Sequence, residues 1–363
     1  MKIGLITYCD IDGNNYGQIL QGFATLKYLV NQGHDVSLLQ VPYRFDNSIK
    51  TKVKAAILRI LGRGKQNSDF LKWNENVIKE SQLHPRYFSR FIKEHMNYRE
   101  GKCSDFLLDG YDAYVSGSDQ IWSWPNSLYM LGWAPNNKLK ISIASSVGCG
   151  YYPLRKKIQA WRYLRHYDLI TVREENGIEL CRSIGIKNAY CVLDPVFLHD
   201  KDFYAQYETP VIQTSQYILL YLLPAPFDVE LKDIIAFAKE QGLNVRYVES
   251  QGRNDSFIKE KEYPTIGEWL SLVKGAVYVI TNSFHGTAFS IIYQKSFLAL
   301  PLVGVHSNMN IRLNSLLSKM KLNDRVYAGD IGVIKKDIDW AESQSIISKN
   351  KKVVDSLVNS YLR

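Results

Sequence analysis

The stretch Val277-Tyr-Val-Ile-Thr-Asn-Ser-Phe-His285-Gly-Thr-Ala-Phe-Ser-Ile-Ile-Tyr293 decides the fold of this chain. Its first residues are β-branched or aromatic, which predicts a buried strand, and Gly286 opens a run with the apolar spacing of a helix. The polar turn between them carries one histidine, His285. Ligands of open α/β sheets bind at the carboxyl ends of strands, and helix amino termini favour anions. We therefore predict a functional site at His285; the alternative is a histidine that only caps or packs the turn.

The same order of strand, polar turn and helix begins the chain. Lys2–Thr7 is apolar and predicts a strand, and the residues from about Gln18 to Asn31 have helical apolar spacing. Val36–Val41 predicts the next strand. Such a βαβ unit predicts a parallel sheet with right-handed connections. Three further strands are predicted in this half, at Tyr111–Val115, Lys140–Ala144 and Leu169–Val172.

A second α/β series starts at Tyr217–Leu223 and includes the His285 segment. A chain of 363 residues is also too long for one ordinary core. We therefore predict an α/β protein with two domains, residues 1–200 and residues 201–335. Residues 336–363 predict a helical tail, which we expect to pack back on the first domain.

The composition excludes several classes of protein. Hydrophobic residues make up 46% and charged residues 22% of the chain, which is typical of a globular protein. No apolar run reaches the roughly 18 residues that a bilayer span needs, and the first residues predict a strand rather than a secretory signal. The five cysteines are scattered without a C-x-x-C pair, so neither a disulfide framework nor a zinc site is predicted. These features predict a cytoplasmic location.

The net charge of +9 calls for an anionic partner. No nucleic-acid-binding motif occurs in the sequence, so acidic small molecules or an anionic membrane surface account for the charge better. In Ser48–Lys65 apolar residues recur at helical spacing, and lysines and arginines fill the remainder. This pattern predicts peripheral contact with an anionic membrane. The alternative is a helix packed on its domain with a solvated basic face.

Six short motifs follow one another along nearly the whole chain. They are Asn14-Asn-Tyr-Gly-Gln-Ile-Leu-Gln-Gly, Val115-Ser-Gly-Ser-Asp-Gln-Ile-Trp, Thr171-Val-Arg-Glu, Leu193-Asp-Pro, Thr281-Asn-Ser-Phe-His-Gly and Arg312-Leu-Asn-Ser-Leu-Leu. Together and in this order they resemble the polysaccharide pyruvyl transferase family, especially its bacterial members for capsule and exopolysaccharide. The resemblance departs at Ser283-Phe284-His285, where many members carry Arg-Leu-His, so the role of that arginine must fall to another residue or be carried out differently.

The resemblance implies a fold and an activity. It implies two Rossmann-like domains with parallel sheets facing a cleft, as in glycosyltransferase-B enzymes, with the acceptor on the first domain and the donor on the second. It implies transfer of pyruvate from phosphoenolpyruvate to two hydroxyls of a sugar or lipid-linked oligosaccharide, which gives a cyclic ketal. Phosphoenolpyruvate is then a co-substrate, and no cofactor or metal is expected. A lipid-linked acceptor would place the enzyme at the inner face of the cytoplasmic membrane.

Ketal formation from an enol phosphate needs a general acid, a proton acceptor and cations for carboxylate and phosphate. Histidine has a suitable intrinsic pKa for the acid at neutral pH, and His285 matches the family's motif histidine. Asp119 and Glu174 are candidate bases for the acceptor hydroxyl, or ligands to its other hydroxyls. The alternatives are a helix cap for Asp119 and a partner of Arg173 for Glu174.

Arginine offers fixed bidentate geometry to carboxylate and phosphate. We expect Arg173 and Arg312, from opposite domains, to clamp the donor; the alternative is a surface or capping role for each. Asn282 and Ser283 can donate hydrogen bonds to phosphate. The backbone N–H groups of Gly286 and Thr287 can do the same at the helix amino terminus.

The acceptor sugar is expected at the turns of the first domain. The candidate residues are Asn15, Tyr16, Gly17, Gln18, Ser118 and Trp122. Trp122 could stack on a sugar face, whereas the loop could equally be a tight turn and the tryptophan a core residue.

Two alternatives stay open from the sequence. One is a nucleotide-sugar-dependent glycosyltransferase on the same architecture. The other is a non-catalytic member that binds glycan or scaffolds capsule assembly, for which the absent motif arginine is the support.

Overall fold

The computed structural model of the chain describes residues 1–11, 13, 15–41, 79, 82–148, 150–250, 258 and 260–362. Within these residues the chain forms a seven-stranded sheet of order β3-β2-β1-β4-β5-β6-β7 and a four-stranded sheet of order β11-β10-β8-β9. Neighbouring strands in both sheets are parallel. The predicted α/β fold with parallel sheets is therefore confirmed. The predicted basic helix Ser48–Lys65 lies outside the described residues.

The first sheet and its helices occupy the first half of the chain. Its strands are β1 (Lys2–Ile6), β2 (Asp35–Gln40), β3 (Tyr98–Glu100), β4 (Ala113–Ser116), β5 (Leu139–Ser145), β6 (Leu169–Val172) and β7 (Ala189–Cys191). The helices are α1 (Tyr16–Asn31), α2 (Phe88–His95), α3 (Cys103–Leu108), α4 (Leu154–Leu164) and α5 (Glu175–Ser183).

The second sheet follows a short helix and a 3₁₀ turn at Pro195–Leu198. Its strands are β8 (Tyr217–Leu222), β9 (Asn244–Glu249), β10 (Tyr278–Thr281) and β11 (Ser296–Ala299). The helices of this half are α6 (Lys201–Ala205), α7 (Leu231–Glu240), α8 (Ile266–Gly275), α9 (Phe284–Ile292), α10 (Asn310–Met320) and α11 (Trp340–Asn359). Further 3₁₀ turns lie at Gly304–Met309, Asn323–Arg325 and Ile331–Lys335.

The central strands are buried along their whole length. Every residue of β4 and of β8 is buried, and β8 is the apolar run Tyr-Ile-Leu-Leu-Tyr-Leu. Strands of a parallel sheet are covered on both faces, so they are apolar throughout rather than alternating. This is why the sequence predicted these strands to within about two residues.

The helix after β10 begins two residues earlier than the sequence predicted. It starts at Phe284 rather than Gly286, because the Ser283 side chain caps it and accepts a hydrogen bond from the Gly286 N–H. His285 therefore lies inside the first helical turn rather than in the polar turn before it.

The two halves meet where the first turns of α1 and α9 approach each other. Tyr16 opens α1 and stacks on Trp269 of α8, with ring centroids 5.2 Å apart. Its hydroxyl donates to the Pro264 carbonyl oxygen at 2.6 Å. These contacts join the first half of the chain to the second beside the carboxyl ends of both sheets.

The last helix returns to the first half of the chain. The Tyr28 hydroxyl of α1 donates to Asp355 of α11 at 2.9 Å, and the Leu193 N–H donates to Asn350 at the same distance. The domain limits 1–200, 201–335 and 336–363 stay a prediction. No helix in the part of the chain that the structure describes combines the length and apolar character needed to cross a membrane.

Candidate active site

His285 lies in the first turn of α9 and is only 4% exposed. Its Nε2 is 3.6 Å from Oδ2 of Asp194. The other side of the ring faces Gly17 on α1, where a Cβ would lie 2.1 Å from His285 Nδ1. Only glycine at position 17 lets the two helices approach this closely, so α1 fixes the ring against Asp194.

Asp194 lies at the centre of a buried polar cluster. Its Oδ1 accepts from the Val196 N–H at 3.1 Å, which caps the 3₁₀ turn and fixes the carboxylate. Its Oδ2 accepts from Ser118 Oγ at 3.2 Å and Arg173 Nη1 at 2.5 Å, and faces His285. Burial by itself would raise the pKa of Asp194, but its interactions with His285 and Arg173 outweigh burial and hold the pKa well below the usual range. Asp194 is therefore a carboxylate at neutral pH.

Arg173 follows β6 and is surrounded by three carboxylates. Its Nε donates to Glu174 at 2.9 Å, its Nη1 to Asp194 at 2.5 Å, and its Nη2 to Asp119 at 3.3 Å. The ring of Phe284 covers the guanidinium, with its centroid 4.2 Å from Cζ. Burial lowers the pKa of Arg173, yet the three carboxylates raise it above the ordinary value, so it stays charged. Every side-chain nitrogen of Arg173 is thus used by the protein itself.

Two further cations reach the cluster from α10. Arg312 and Lys319 are seven residues apart, so they lie on the same face of the helix. Arg312 Nη1 is 3.3 Å from Asp119 Oδ1, and the Gln120 amide also contacts its guanidinium. Lys319 Nζ donates to the Arg173 carbonyl oxygen at 3.1 Å. Burial lowers the pKa of Arg312, against the opposing charge of Asp119.

A small pocket that opens to solvent lies between the two halves. The cations of α10 and the Asp194 carboxylate face it together with apolar side chains. Its lining residues are Arg173, Leu193, Asp194, Phe284, Arg312, Leu316 and Lys319. An anion bound here would meet two cations, Arg312 and Lys319, next to the pair of His285 and Asp194.

The two predicted bases both belong to the cluster. Asp119 accepts from Arg173 and Arg312, each at 3.3 Å. Glu174 Oε1 accepts from Arg173 and from Ser146 Oγ, the latter at 2.6 Å. Glu174 Oε2 is buried and has no hydrogen-bond partner among the described residues. Glu174 therefore keeps one carboxylate oxygen that the protein does not use.

The polar groups predicted to bind the donor phosphate at α9 have structural tasks. The Asn282 side chain accepts from the Leu223 N–H at 2.7 Å and donates to the carbonyl oxygens of Leu223 and Ala225. The Gly286 N–H donates to the capping Ser283 hydroxyl, and the Thr287 N–H donates to the Ser283 carbonyl oxygen. Asn282, Gly286 and Thr287 thus bond within the protein in this structure, and their predicted phosphate contacts stay predictions. The Ser283 hydroxyl is occupied as an acceptor by the cap, and its donor role stays a prediction.

The predicted acceptor residues divide in a similar way. Tyr16 and Trp122 are fully buried, Trp122 within the apolar cluster around Met130, so neither ring is exposed to solvent, and the acceptor roles of both stay predictions. Asn15 caps α1 by accepting from the Gly17 N–H at 3.1 Å. Gln18 is half-buried in the first turn of the same helix.

Ser118 is buried rather than facing a cleft. Its N–H and hydroxyl both contact Gln21 Oε1, at 2.9 and 3.1 Å, and the hydroxyl also donates to Asp194. These contacts support the Asp194 carboxylate. The acceptor roles of Asn15, Gly17, Gln18 and Ser118 stay predictions.

Sequence reasoning missed Asp194, Gln21 and Lys319 as parts of the site. Asp194 follows the short strand β7 within the Leu193-Asp-Pro motif, so its strand-end position was visible. Lys319 lies two helical turns after Arg312, which helical spacing also predicts to be on the same face. In the described residues no group of three His, Cys, Asp or Glu side chains is arranged to hold a metal ion. That no cofactor is needed stays a prediction.

Comparison with known proteins gives one family and a set of structural neighbours. The family model for polysaccharide pyruvyl transferase matches residues 15–302. The chain resembles UDP-N-acetylglucosamine 2-epimerase from Rickettsia bellii, with a TM-score of 0.51, 9% identity and coverage of 99% of this chain and 96% of the other.

A similar likeness holds for UDP-GlcNAc 2-epimerase from Neisseria meningitidis bound to UDP-GlcNAc. The TM-score is 0.50 at 9% identity, covering 99% of this chain and 100% of the other. At such low identity these likenesses concern the fold alone, which is glycosyltransferase-B-like with two Rossmann-like sheets. A search of curated proteins gave no match.

Proposed function

Because the chain belongs to the polysaccharide pyruvyl transferase family, we propose that it transfers pyruvate from phosphoenolpyruvate to two hydroxyls of a sugar. The product is a cyclic ketal for a bacterial surface polysaccharide such as a capsule or exopolysaccharide. The observation that carries the proposal is the buried pair of His285 and Asp194 next to a pocket with two cations. A cytoplasmic location, with peripheral contact to the membrane that holds a lipid-linked acceptor, is part of the proposal.

Arg312 and Lys319 bind the carboxylate and phosphate of the donor. Both face the pocket, whereas the charge of Arg173 is already balanced by Asp119, Glu174 and Asp194. This replaces the expected clamp of Arg173 and Arg312: Arg173 orients the carboxylates, and the two residues on α10 hold the anion. It also accounts for the absent motif arginine, since the cationic role moves from α9 to α10.

His285 acts as the general acid in this mechanism. It delivers a proton to the methylene carbon of phosphoenolpyruvate, and positive charge develops on the adjacent carbon. Asp194 stabilises the imidazolium before transfer and fixes the ring, as a carboxylate orients the histidine of an acid–base pair.

Two sugar hydroxyls then attack the adjacent carbon in turn. The first forms a C–O bond, the bond to phosphate breaks, and the second closes the ketal ring. Two hydroxyl protons are released. One replaces the proton that His285 gave to the methylene carbon, and the other leaves with phosphate. Glu174 takes the hydroxyl proton, because its Oε2 is the carboxylate oxygen that the protein leaves unengaged.

Ligand-dependent thermal stability tests the donor. Phosphoenolpyruvate should raise the melting temperature, because a ligand that binds only the folded state stabilises it. Nucleotide sugars serve as the comparison. A shift with nucleotide sugars and none with phosphoenolpyruvate would replace the proposal with a glycosyltransferase.

A product assay tests the chemistry. Isotope-labelled phosphoenolpyruvate and a panel of lipid-linked sugars should give a labelled ketal and equimolar inorganic phosphate. The His285→Ala protein is the control for uncatalysed transfer. Sugar binding without phosphate release would identify a non-catalytic glycan-binding protein instead.

A further inference from the structure

Helix α4 leaves a line of large apolar side chains in solvent. Leu154, Ile158 and Trp161 are 70%, 47% and 41% exposed, and the preceding Tyr151 is also exposed. The three helical positions are four and three residues apart, so they share one face of the helix. Singly exposed apolar residues are ordinary on a protein surface, whereas an aligned set indicates a contact surface.

The same helix is strongly basic. Its positive residues are Arg155, Lys156, Lys157, Arg162 and Arg165 at the C-cap. The sequence has no acidic residue between Asp119 and Asp168. The Arg165 guanidinium lies 4.3 Å from the Trp161 ring centroid. Basic side chains thus border the apolar line, as in helices that lie in the plane of a membrane interface.

The buried face of α4 is narrow. Only Ala160 and Leu164 of this helix are buried, and they pack in the cluster around Trp122. The apolar line therefore has no role in the core of the protein. A helix with an apolar line flanked by basic residues has the composition that an anionic lipid surface complements.

We propose that α4 docks this protein on an anionic lipid surface. Its apolar line inserts at the boundary of headgroups and acyl chains while its basic residues contact lipid phosphates. A soluble polyanion would engage the charges and leave the apolar line in water. A second copy of the chain would bring two basic surfaces together, which like charges disfavour.

The segment that leads into the docking helix lies beside α10. Gly150, just before Tyr151, lies against Ile311, where a Cβ at position 150 would be 3.3 Å from Ile311 Cδ1. Ile311 precedes Arg312 on α10. The segment that leads into the docking helix thus contacts the helix that carries the pocket's cations, but the docking proposal needs no assumption about the reaction.

Co-sedimentation with vesicles tests the proposal. The full chain should bind vesicles that contain phosphatidylglycerol, and weakly or not at all vesicles of phosphatidylcholine alone. Arg155→Glu with Arg162→Glu should lower the partition coefficient by about tenfold or more, since each basic residue near an anionic surface contributes on the order of a kcal/mol. The triple change Leu154→Ser, Ile158→Ser and Trp161→Ser should lower the partition coefficient by a similar factor. Added salt should not reproduce this loss.

Matched controls carry the same changes elsewhere. Lys232→Glu with Lys239→Glu on α7 alters two exposed lysines, and Leu108→Ser with Ile212→Ser alters two exposed apolar residues. These proteins should bind vesicles as the unchanged chain does. Melting temperatures of all variants confirm that each one is folded.

Brominated lipid distinguishes insertion from simple adsorption. It should quench part of the tryptophan fluorescence of the unchanged chain. This quenching should be absent in Trp161→Phe. Binding that survives both sets of α4 changes overturns the proposal, as does binding abolished only by charge reversal at Lys50, Lys52 and Lys54. A dimer in solution that becomes a monomer with the apolar changes also overturns the proposal, because that result assigns the face to a second copy.

Discussion

At the scale of single residues, the acid–base pair depends on a histidine that the protein holds on both sides. His285 has Asp194 at 3.6 Å from its Nε2, and Gly17 packs against the rest of the ring. Proton transfer to carbon needs an acid fixed in one orientation, and this packing supplies the orientation before any donor binds. Removal of the imidazole should therefore affect the chemical step more than binding.

His285→Ala should lower turnover by about 100-fold or more, the usual size of a general acid effect, with the fold intact. Phosphate release under saturating donor and acceptor measures the turnover, and circular dichroism measures the fold. His306→Ala removes a half-buried histidine of the 3₁₀ turn at Gly304–Met309 and should keep full turnover. Near-normal turnover in His285→Ala would remove His285 from the mechanism.

Asp194→Asn should change the pH dependence of turnover. The pKa of Asp194 lies below its ordinary value of about 3.9, so Asp194 is ionised throughout a neutral assay range. Asp194→Asn removes the carboxylate that lies 3.6 Å from His285 Nε2, so the pH dependence of kcat should differ from that of the unchanged protein. A full pH profile of kcat for both proteins measures the difference. An unchanged profile with uniformly lower kcat would limit Asp194 to a structural role.

The sequence predicted more of the site's members than of their roles. Asp119, Arg173 and Glu174 come together because they follow strands of one parallel sheet, whose carboxyl ends share an edge. His285 and Arg312 reach them from α9 and α10 of the second half. Whether a polar group is free is set by the local hydrogen-bond partners, which the sequence does not display. The N–H groups at the start of α9 were assigned to phosphate for this reason, although the cap and the helix occupy them.

At the scale of elements, the close approach of α1 and α9 fixes the site. A residue with a side chain at position 17 would place its Cβ 2.1 Å from His285 Nδ1, far inside contact distance. Helical periodicity predicted α1 but not this approach, because periodicity describes which face of a helix is buried and not the distance to its neighbour.

Gly17→Ala should therefore displace the imidazole. Turnover should fall by at least the factor expected when the general acid is lost. The added methyl should also destabilise the fold by about 1–3 kcal/mol, the cost of overpacking a filled interior. Gly22→Ala on the same helix is the control, because its Cβ meets only side-chain atoms at 3.0 Å or more, the nearest being a Thr7 methyl. Turnover and urea unfolding are measured on both. Full activity in Gly17→Ala would show that the ring position is unimportant.

Helix α10 presents the two cations of the pocket on one face. Arg312→Lys and Lys319→Ala should each raise the Michaelis constant for the donor, since a charge-assisted hydrogen bond contributes about 1.5–3 kcal/mol. Asn314→Ala, at an exposed position of the same helix, is the matched control. If both variants keep the Michaelis constant of the unchanged protein, α10 does not bind the donor.

At the scale of the whole molecule, buried polar contacts join the two halves around the site. Arg86, from the segment before α2, donates to the Glu249 carbonyl oxygen at 2.8 Å, and its guanidinium is 3.4 Å from the Glu249 carboxylate at the end of β9. The two side chains are each 1% exposed. An ion pair between residues 163 positions apart cannot be seen in periodicity, which explains why the sequence predicted both sheets but not how they meet.

This buried pair should stabilise the arrangement of the two halves only while both partners are present. Arg86→Met should destabilise the fold by about 3–5 kcal/mol, because it removes one partner of a buried ion pair. Arg86→Met combined with Glu249→Leu should recover much of that loss, since the buried carboxylate is then removed together with its partner. The exposed pair of Arg90 and Glu94 provides the control, for which Arg90→Ala should leave urea unfolding nearly unchanged. Urea unfolding of the two single variants and the double variant measures the coupling, and losses that simply add would show that the pair does not hold the halves together.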